Sequence, residues 1–563
     1  MSLNATSPNE IGNCRNSNVK QRQDSTPVLI AGGGASGTIM ALLLAQQEVA
    51  SIILEARNTP YDIPRAHALN PRSLEICAGL GLDIAEIRCR AAPRREAGQV
   101  RFVTRLFGPE WGCLPYERQD DEARLFTPEP LVNVPQTEFE ALLFEAAERE
   151  PLIEVRRGHR WVAIKQETAG DGAIHSTVED AKGTYQIASR FLIGCDGAGS
   201  AVRGALGIDL DGIARVQAAI SIVFEADLRA ALADRPAVLY WVTDPAARGT
   251  FIAYHMDRLW SFVQTFPPGM IDMSSYDEAA CRRLVVEAAG GPIDDLKILH
   301  ISPWTMTAQV ADRFGRGNVL LVGDAAHRFP PTGGLGLNTG IQDAHNLAWK
   351  IGAVMEGWGS RALIDSYEQE RRPVALRNRD QSLVNAQRLA ALAAMDCEQS
   401  IWQNSEAFAQ WLDAPGRRDA VADAISLQSE HFNSFGLQLG FAYPPHSNEP
   451  EDVSDYRPSA AVGHRLPHAT IGSACGYRST LDLADPHRFT ILVEETNVSE
   501  LLHDSPIPAS PVRLSSLEID PIWRTLVRLD AGDALIVRPD GHVGWRGPVA
   551  DVPAALLRLS GAG

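Results

Sequence analysis

Residues 323–350 (GDAAHRFPPTGGLGLNTGIQDAHNLAWK) place an acidic side chain, two prolines and several glycines between an apolar run and a helix-forming run. The apolar run 318–322 predicts a buried strand ending at Gly323, so Asp324 would lie at its carboxyl end. Ligands of open α/β sheets bind at that edge, where a carboxylate can accept hydrogen bonds from ribityl or ribose hydroxyls. This pattern favours a cofactor contact at Asp324 over an ordinary surface aspartate.

The loop after Asp324 can bring the main chain close to a flat ring. It carries two stiffening prolines and three permissive glycines: Pro330, Pro331, Gly333, Gly334 and Gly336. A helix predicted to begin near Leu337 or Asn338 would aim free N–H groups and a partial positive charge at the ring. A reduced flavin is negatively charged around N1 and its C2 carbonyl, so the stretch predicts a flavin site.

The elements that position such a cofactor begin near the N-terminus. Run 27–31 (PVLIA) predicts a strand, 36–47 predicts a helix, and the glycines between them have GxGxxG spacing: Gly32, Gly34 and Gly37. A second strand, 51–55, ends at Glu55, where an acidic residue would bind ribose hydroxyls. This order favours a dinucleotide site over a glycine-rich structural turn, without separating FAD from NAD.

Three further segments carry candidate residues. In 64–82, Arg65 is a candidate cofactor contact or a solvated charge, and His67 a functional or a structural histidine. Gln136 stands before a predicted helix that has a capping-box pattern between residues 137 and 140. Run 190–203 predicts a strand ending at Asp196, with Arg203 beyond it. Its glycines do not fit GxGxxG, so a second Rossmann site is not predicted.

Aromatic side chains gather between residues 216 and 300, in runs typical of antiparallel strands. Such a sheet could simply cover a core, or it could form one wall of a pocket for an aromatic substrate. The candidate substrate contacts on it are Tyr240, Trp241, Tyr254 and His255.

Composition excludes several classes of protein. The 563 residues carry a formal net charge of −18 and no basic block, which argues against a nucleic-acid partner. The eight cysteines form no CxxC, so neither a metal site nor a disulfide framework is expected. Residues 1–25 are polar, and no apolar stretch reaches membrane-spanning length. A flexible N-terminal tail, no membrane contact and a cytoplasmic location are therefore expected.

The order of elements predicts an α/β fold in which a Rossmann-type domain is interleaved with an antiparallel β-sheet domain. A helical segment, a proline-rich linker and a C-terminal α/β domain would follow. The predicted bounds are 1–25 for the tail, 26–215 and 304–350 for the Rossmann-type domain, 216–303 for the antiparallel sheet with a contribution from 100–130, 351–440 for the helices, 441–460 for the linker and 461–563 for the last domain.

Three motifs, in order, resemble those of the class A FAD-dependent aromatic hydroxylases, the 4-hydroxybenzoate hydroxylase type: GGGASG with Glu55, CDGAGSAVR, and GDAAHRFPPTGGLGLNTGIQDAHNLAWK. The resemblance runs from about Pro27 to the C-terminus. Segments 431–443, 463–468 and 535–546 are most similar to phenol, chlorophenol and 2-hydroxybiphenyl hydroxylases, whose last domain is thioredoxin-like. Without a CxxC, that domain is expected to be structural here.

The resemblance implies a set of FAD-binding residues. The ADP half would be bound by Gly32, Gly34, Gly37 and Glu55. The flavin side would be contacted by Arg65, Gln136, Pro331, Gly336, Leu337 and Asn338. The pyrophosphate, the ribityl chain and the nicotinamide approach would be supported by Asp196, Arg203 and Asp324. Pro331 would also lie near the reactive face of the flavin and the substrate.

The implied reaction is hydride transfer from NADH or NADPH to FAD, capture of O2 as a C4a-hydroperoxide, and hydroxylation of a phenolic ring, expected ortho to its hydroxyl. Residues 64–67 resemble the PRxH motif of 2-hydroxybiphenyl hydroxylase, whose histidine is thought to act as the base. The resemblance therefore implies His67 as the base here, and His255 is the second candidate. A larger polycyclic or natural-product substrate and a homodimer remain open. The alternatives are a flavin halogenase or prenyl reductase, and a non-catalytic flavin-binding regulator. The halogenase WxWxIP motif is missing, and the thioredoxin-like C-terminal domain argues against both the halogenase and the reductase.

Overall fold

The computed structural model describes residues 23–60, 63–164, 173–244, 246–267, 269, 276–393, 405–444, 452–472, 478–503 and 505–563. The strands are β1 Gln23–Ala31, β2 Ser51–Glu55, β3 Ala68–Leu69, β4 Gln99–Val103, β5 Glu110–Pro115, β6 Val132–Asn133, β7 Ile153–Arg157, β8 Arg160–Ile164, β9 Ile174–Asp180, β10 Gly183–Gly194, β11 Leu210–Glu225, β12 Leu239–Val242, β13 Gly249–His255, β14 Leu259–Phe266, β15 Lys297–Ala311, β16 Gly315–Arg316, β17 Val319–Leu321, β18 His327–Arg328, β19 Phe489–Val493, β20 Ala509–Arg513, β21 Asp533–Val537 and β22 Val543–Pro548.

The α-helices are α1 Ala35–Gln46, α2 Pro71–Gly79, α3 Ile84–Arg90, α4 Arg94–Ala97, α5 Gln136–Arg149, α6 Ala201–Ala205, α7 Glu278–Ala289, α8 Leu335–Glu356, α9 Arg361–Ala393, α10 Ser405–Leu412, α11 Arg417–Ser426, α12 Phe435–Leu439, α13 Ser499–Leu502, α14 Pro521–Val527 and α15 Val552–Leu559. Most of the residues predicted as tail, 1–22, lie outside the described residues, and strand β1 begins directly after them at Gln23. No described helix is both long and apolar enough to cross a bilayer.

The first sheet is mostly parallel, with the order β16-β17-β10-β1-β2-β7. Its central strand β1 pairs in parallel with both β10 and β2, and Val28, Leu29 and Ile30 in it are fully buried. Helices α1 and α8 pack on each other beside this sheet. Both faces of a parallel sheet are normally covered, which explains why this strand is continuously apolar instead of alternating.

The second sheet has the order β18-β15-β11-β14-β13-β12-β4-β5. Its aromatic strands pair antiparallel, β11 with β14, β14 with β13 and β13 with β12, as the sequence predicts. One face packs on α7, and the other carries a second apolar cluster that includes Tyr116 and Phe432. Strands of the two sheets alternate along the chain, so the predicted interleaved α/β fold is confirmed.

The C-terminal sheet has the order β20-β19-β21-β22, with β19 and β20 parallel. It contains the three expected strands and one unpredicted strand, β20. The segment predicted as a linker is packed where it is described, since Phe441, Tyr443 and Tyr456 are buried. Residues 445–451 of it lie outside the described residues. Buried ion pairs from Arg538 to Glu370 and from Arg465 to Glu75 fasten this end of the chain to α9 and α2.

Candidate active site

The glycines after strand β1 form a cradle that only glycine can build. Gly32 has a φ of +106°, and a Cβ there would lie 2.2 Å from the carbonyl oxygen of Cys195. A Cβ on Gly37 would lie 2.0 Å from the carbonyl oxygen of Gly32. Gly34 caps helix α1 without a side chain, so the main chain at the helix start can approach a ligand closely. This geometry suits the diphosphate of a dinucleotide.

Glu55 lies at the end of β2, where the sequence predicts it. Its Oε2 accepts a hydrogen bond from Gly33 N at 3.1 Å, and its Oε1 accepts one from Arg57 Nε at 2.9 Å. Burial opposes ionisation of this carboxyl, but the hydrogen bonds and charge of Arg57 hold its pKa below the ordinary value. An ionised acceptor beside the glycine cradle is the group that ribose hydroxyls require.

Gln136 is the first residue of helix α5 and lies beside the start of α1. Its Nε2 donates to Glu140 Oε1 at 2.7 Å, and the same oxygen accepts from Ala35 N at 3.2 Å. The predicted capping box between residues 137 and 140 is therefore wrong, because α5 has no side-chain cap and Glu140 instead binds the neighbouring helix.

Asp196 and Arg203 support neighbouring backbone. The Asp196 carboxylate accepts from the Ser200 hydroxyl at 2.5 Å and from Ala201 N at 2.7 Å, which caps the start of α6. Arg203 Nη1 donates to the carbonyl oxygen of Ala325 at 2.8 Å. Arg203 therefore joins the second motif to the loop that carries Asp324.

Asp324 is exposed although protein surrounds it, so its carboxyl faces a crevice. Burial raises its pKa, and the positive charges of His327, Arg65 and Arg328 oppose that rise. Arg65, itself exposed, is therefore close enough to act on Asp324. Asp324 follows closely after β17, so it lies at the carboxyl edge of the first sheet, as predicted.

Helix α8 begins at Leu335, slightly before the predicted start, because Gly334 adopts a left-handed φ of +63° as its cap. No side chain caps this end, so N–H groups of its first turn, which includes Gly336 and Leu337, are available to a ligand. The side chain of Asn338 forms hydrogen bonds with the backbone of the segment 68–70. Its Nδ2 donates to the carbonyl oxygen of Ala68 at 2.9 Å, and its Oδ1 accepts from Asn70 N at 2.9 Å.

A buried cluster of three side chains, His327, Asp343 and Arg371, holds the loop between Asp324 and α8. His327 Nε2 lies 2.6 Å from Asp343 Oδ2, which also accepts from Gly323 N at 3.3 Å. Arg371 Nε donates to Asp343 Oδ1 at 2.8 Å, and all three side chains are fully buried. Burial opposes ionisation of Asp343, but His327 and Arg371 together hold its pKa below the ordinary value.

His67 lies in front of this loop, on the segment that leads into β3. Its Nδ1 is 2.9 Å from Asn133 Oδ1. The ring is half-buried. Burial lowers the pKa of His67, and the hydrogen bond to Asn133 only partly offsets this. The imidazole is therefore neutral at neutral pH, which is the state that a base requires.

Two tyrosine rings pack beside His67. The Tyr116 ring centroid is 5.8 Å and the Tyr254 centroid 6.0 Å from that of His67. The Tyr254 hydroxyl donates to the carbonyl oxygen of Pro64 at 3.3 Å. The Tyr116 hydroxyl would lie 4.0 Å from a Cβ placed on Gly334, so Tyr116 links His67 to the start of α8. Pro331, also in this loop, is exposed.

Two of the four predicted substrate contacts on the sheet are corrected. Tyr240 is fully buried in the cluster on the α7 face, and its hydroxyl donates to the carbonyl oxygen of Arg235 at 2.9 Å. His255 follows Tyr254 in β13, so it points to the other side of the strand, where its Nε2 lies 2.9 Å from Glu138 Oε1. It lines a surface cleft of about 280 Å³ and not the space beside His67.

Trp241 lies on the same face of the sheet as Tyr116, but Phe432 packs between the two rings. Its ring packs 5.9 Å from His431 and 6.4 Å from Phe432, and Phe432 packs 6.5 Å from Tyr116. Tyr254 is therefore the predicted aromatic that contacts His67 directly.

Sequence reasoning missed Asn133 and Tyr116 as neighbours of His67, together with Glu117. Glu117 has a φ of +53°, and its buried carboxylate accepts from Ser434 N, Ser434 Oγ and Gln438 Nε2 at 2.9, 2.9 and 3.0 Å. Burial raises its pKa to about 7, against these hydrogen bonds. It fastens segment 431–443, a motif seen in the sequence without a role, directly behind Tyr116. In the described residues, no three acidic, histidine or cysteine side chains converge as a metal site would require.

Comparison with known proteins agrees with this geometry. Residues 25–382 match the FAD binding domain family, and residues 459–562 match the C-terminal domain of aromatic-ring hydroxylases. A 2,4-dichlorophenol 6-monooxygenase of Delftia acidovorans is 30% identical, over 96% of this chain and 99% of that protein. A phenol 2-monooxygenase of a Pseudomonas species is 28% identical, over 94% and 92% of the two chains.

Solved structures are similar over nearly the whole chain. The flavin-dependent monooxygenase PieE, in complex with FAD and substrate, has a TM-score of 0.86 at 30% identity and covers 96% of this chain and 99% of its own. Aklavinone-11 hydroxylase with FAD and aklavinone has a TM-score of 0.80 at 25% identity, with 95% and 99% covered. With the glycine cradle, Glu55, Asp324 and the uncapped start of α8 all fitting FAD, the chain belongs to the FAD-dependent aromatic-ring hydroxylases and is an FAD-dependent aromatic monooxygenase.

Proposed function

We propose that this chain hydroxylates a phenolic ring, ortho to its hydroxyl, using NADH or NADPH and O2. One observation carries the proposal: a neutral, half-buried His67 packs beside Tyr116 and Tyr254, close to the uncapped start of α8. The relatives named as monooxygenases of 2,4-dichlorophenol and of phenol support the same substrate class.

Bound FAD would supply the redox chemistry, taking a hydride from NAD(P)H and delivering one oxygen atom of O2 to the ring. The residues of the chain bind, orient and move the proton. His67 would accept the phenolic proton, because a phenolate ring is far more electron-rich than a phenol. A free phenol has a pKa of about 10 and stays protonated at neutral pH, so a base nearby matters. General-base assistance is typically worth about 10²–10⁴ in rate.

The residues around His67 would keep water away from the reacting ring. Tyr116 is buried, and Phe432 and Trp241 fill the space behind it. The exclusion of water protects a reactive oxygen donor from unproductive decay. Tyr254, whose hydroxyl is already bound to Pro64, would present its ring edge.

A larger fused-ring phenol is the second candidate. It is favoured by the similar structures solved with aklavinone and with 7-carboxy-K252c, the latter in RebC at a TM-score of 0.82. The two candidates predict the same proton transfer and differ only in the size of the best substrate.

A substrate screen tests the proposal. NADH and NADPH oxidation would be followed with single-ring phenols, fused-ring phenols and matched aromatics whose hydroxyl is methylated, with the product mass measured in each case. We expect phenols to stimulate oxidation and gain one oxygen atom, and the methylated partners to gain far less. Equal hydroxylation of the methylated compounds would contradict a mechanism that needs a phenolate.

A further inference from the structure

We infer that Asn133 is a positioning residue that fixes the tautomer of His67. This inference rests on the proposed base role of His67 and adds the group that makes the role possible. Asn133 lies 66 residues beyond His67 in the chain, and its Oδ1 is 2.9 Å from His67 Nδ1.

A two-stranded sheet brings the two side chains together. Ala68 in β3 pairs with Asn133 in β6, and Val134 N donates to the carbonyl oxygen of His67 at 2.7 Å. Gln136 N donates to the carbonyl oxygen of Ala66 at 2.9 Å, so the backbone is held on both sides of His67. The segment that carries the imidazole is therefore registered against the residue that binds it.

The orientation of the Asn133 amide is set by a second partner. Its Nδ2 donates to the carbonyl oxygen of Ala97 at 3.4 Å, while its Oδ1 faces His67. The flipped amide would set two oxygens, Oδ1 and the carbonyl of Ala97, against each other with no proton between them. Only the observed orientation satisfies both neighbours, and Asn133 is 3% exposed, so water does not compete for it.

This orientation decides where the proton of the neutral imidazole resides. Because Asn133 Oδ1 can only accept, His67 Nδ1 must carry the hydrogen, and the lone pair is then on Nε2. Nε2 is the atom that would take the proton from a phenol: the phenol O–H bond breaks, an N–H bond forms, and the products are a phenolate and an imidazolium. With the opposite tautomer, Nε2 would already hold a proton and could not act as the base.

The neutral amide raises the basicity of His67 less than a charged acceptor would. Burial lowers the pKa of His67, and an uncharged acceptor returns only part of the loss, whereas a carboxylate would favour the imidazolium. The titratable rings packed on His67 are Tyr116 and Tyr254, whose pKa values burial raises, so both stay uncharged around neutral pH.

Two substitutions separate these effects. Asn133→Leu removes the acceptor, and Asn133→Asp keeps an acceptor but charges it. Asn318→Leu is the matched control, since the Asn318 oxygen accepts from Arg361 Nη1 beside β17. The full-length holoenzyme is used, and its FAD content and melting temperature are recorded for each variant. Side-chain nitrogen NMR of labelled histidine reports the tautomer, with the His67 signals assigned by their loss in His67→Gln.

We expect the wild type and the control to hold the Nδ1–H tautomer, and Asn133→Leu to lose it and hydroxylate at least about tenfold more slowly at neutral pH, with recovery only towards the pKa of the phenol. Asn133→Asp should keep the tautomer but raise the pKa of His67, so the acidic limb of its hydroxylation profile moves to higher pH. It should recover towards the wild-type rate just above that limb, at pH values where Asn133→Leu is still slow.

An unchanged tautomer in Asn133→Leu would overturn the inference, whatever the base proves to be. A changed tautomer with wild-type hydroxylation would instead overturn the base role of His67, because the geometry would be lost without effect. An Asn133→Asp profile superimposable on the wild type would contradict the claim that the neutral amide raises the basicity less than a charged acceptor would.

Discussion

Two histidines lie at the loop between Asp324 and α8, and their partners differ. His67 binds a neutral amide through Nδ1 and is half-buried. His327 binds the carboxylate of Asp343 at 2.6 Å, is fully buried and is locked from the far side by Arg371. The same type of side chain therefore makes two different contacts, one with a neutral amide and one with a buried carboxylate.

The buried carboxylate of Asp343 binds His327, Arg371 and Gly323 N together and so holds this segment rigidly, which suits a loop proposed to hold a cofactor. An amide partner fixes the orientation of the ring without placing a negative charge beside it. This suits a group that must accept a proton and release it. We expect that exchanging these environments would abolish both functions, and four substitutions test the difference.

The largest effect is expected at Asp343, which binds both His327 and Arg371. Asp343→Asn leaves the buried Arg371 without its counter-ion, so the free energy of unfolding should fall by about 3–5 kcal/mol. Gly323 N also loses its charged acceptor, so FAD should be released more readily. Urea denaturation and FAD retention on gel filtration measure both. Asp365→Asn, in an exposed pair with Arg361, is the control and should cost less than about 1 kcal/mol. Equal costs would contradict the assignment.

The second effect is on chemistry alone. His67→Gln should keep FAD and NAD(P)H-driven reduction, but slow hydroxylation at least about tenfold at neutral pH, with partial recovery towards the pKa of the phenol, about 10. Stopped-flow reduction and product yield separate the two steps. His255→Gln is the comparison, since His255 pairs with Glu138 away from His67, and it should hydroxylate normally. A wild-type rate in His67→Gln across that pH range would rule His67 out as the base.

A smaller effect concerns the ring beside His67. Tyr116→Phe removes a hydroxyl that lies near the start of α8 but leaves the packing on His67 in place. We expect a several-fold higher KM for the phenol with an unchanged rate of reduction, because a substrate hydrogen bond of about 1 kcal/mol is lost. An unchanged KM would mean that the Tyr116 hydroxyl does not contact the substrate. Tyr276→Phe, at the rim of the other face of the sheet, is the control.

The smallest effect is on pH-dependent stability. Burial raises the pKa of Glu117 to about 7, so the folded protein keeps a proton that the unfolded chain loses. The unfolding free energy contributed by this group therefore falls as pH rises from the ordinary glutamate range towards 7 and then levels off. Glu117→Gln should flatten that part of the stability curve, and the exposed Glu500→Gln should not. The same slope in Glu117→Gln and the wild type would refute the assignment.

Features that depend on residues close together in the chain could be predicted from the sequence, and features that depend on the pairing of distant strands could not. Gly32, Glu55 and Asp324 were predictable, because the strand, turn and helix that position each of them are contiguous. The faces of the second sheet were not, since a register shift between Ala253 and His255 and the placement of Tyr240 depend on strand pairing. Asn133 had no local signal at all, because only the pairing of β3 with β6 brings it to His67.

The most direct test of the central claim is the protonation state of a bound phenol. An ultraviolet difference spectrum of the oxidised holoenzyme would be recorded at neutral pH with a phenol that is mostly protonated in that buffer. We predict the phenolate band on binding to the wild type and to His255→Gln, and the phenol band on binding to His67→Gln. A phenolate band of equal strength in His67→Gln, or a phenol band in the wild type, would contradict the proposal that His67 takes the proton.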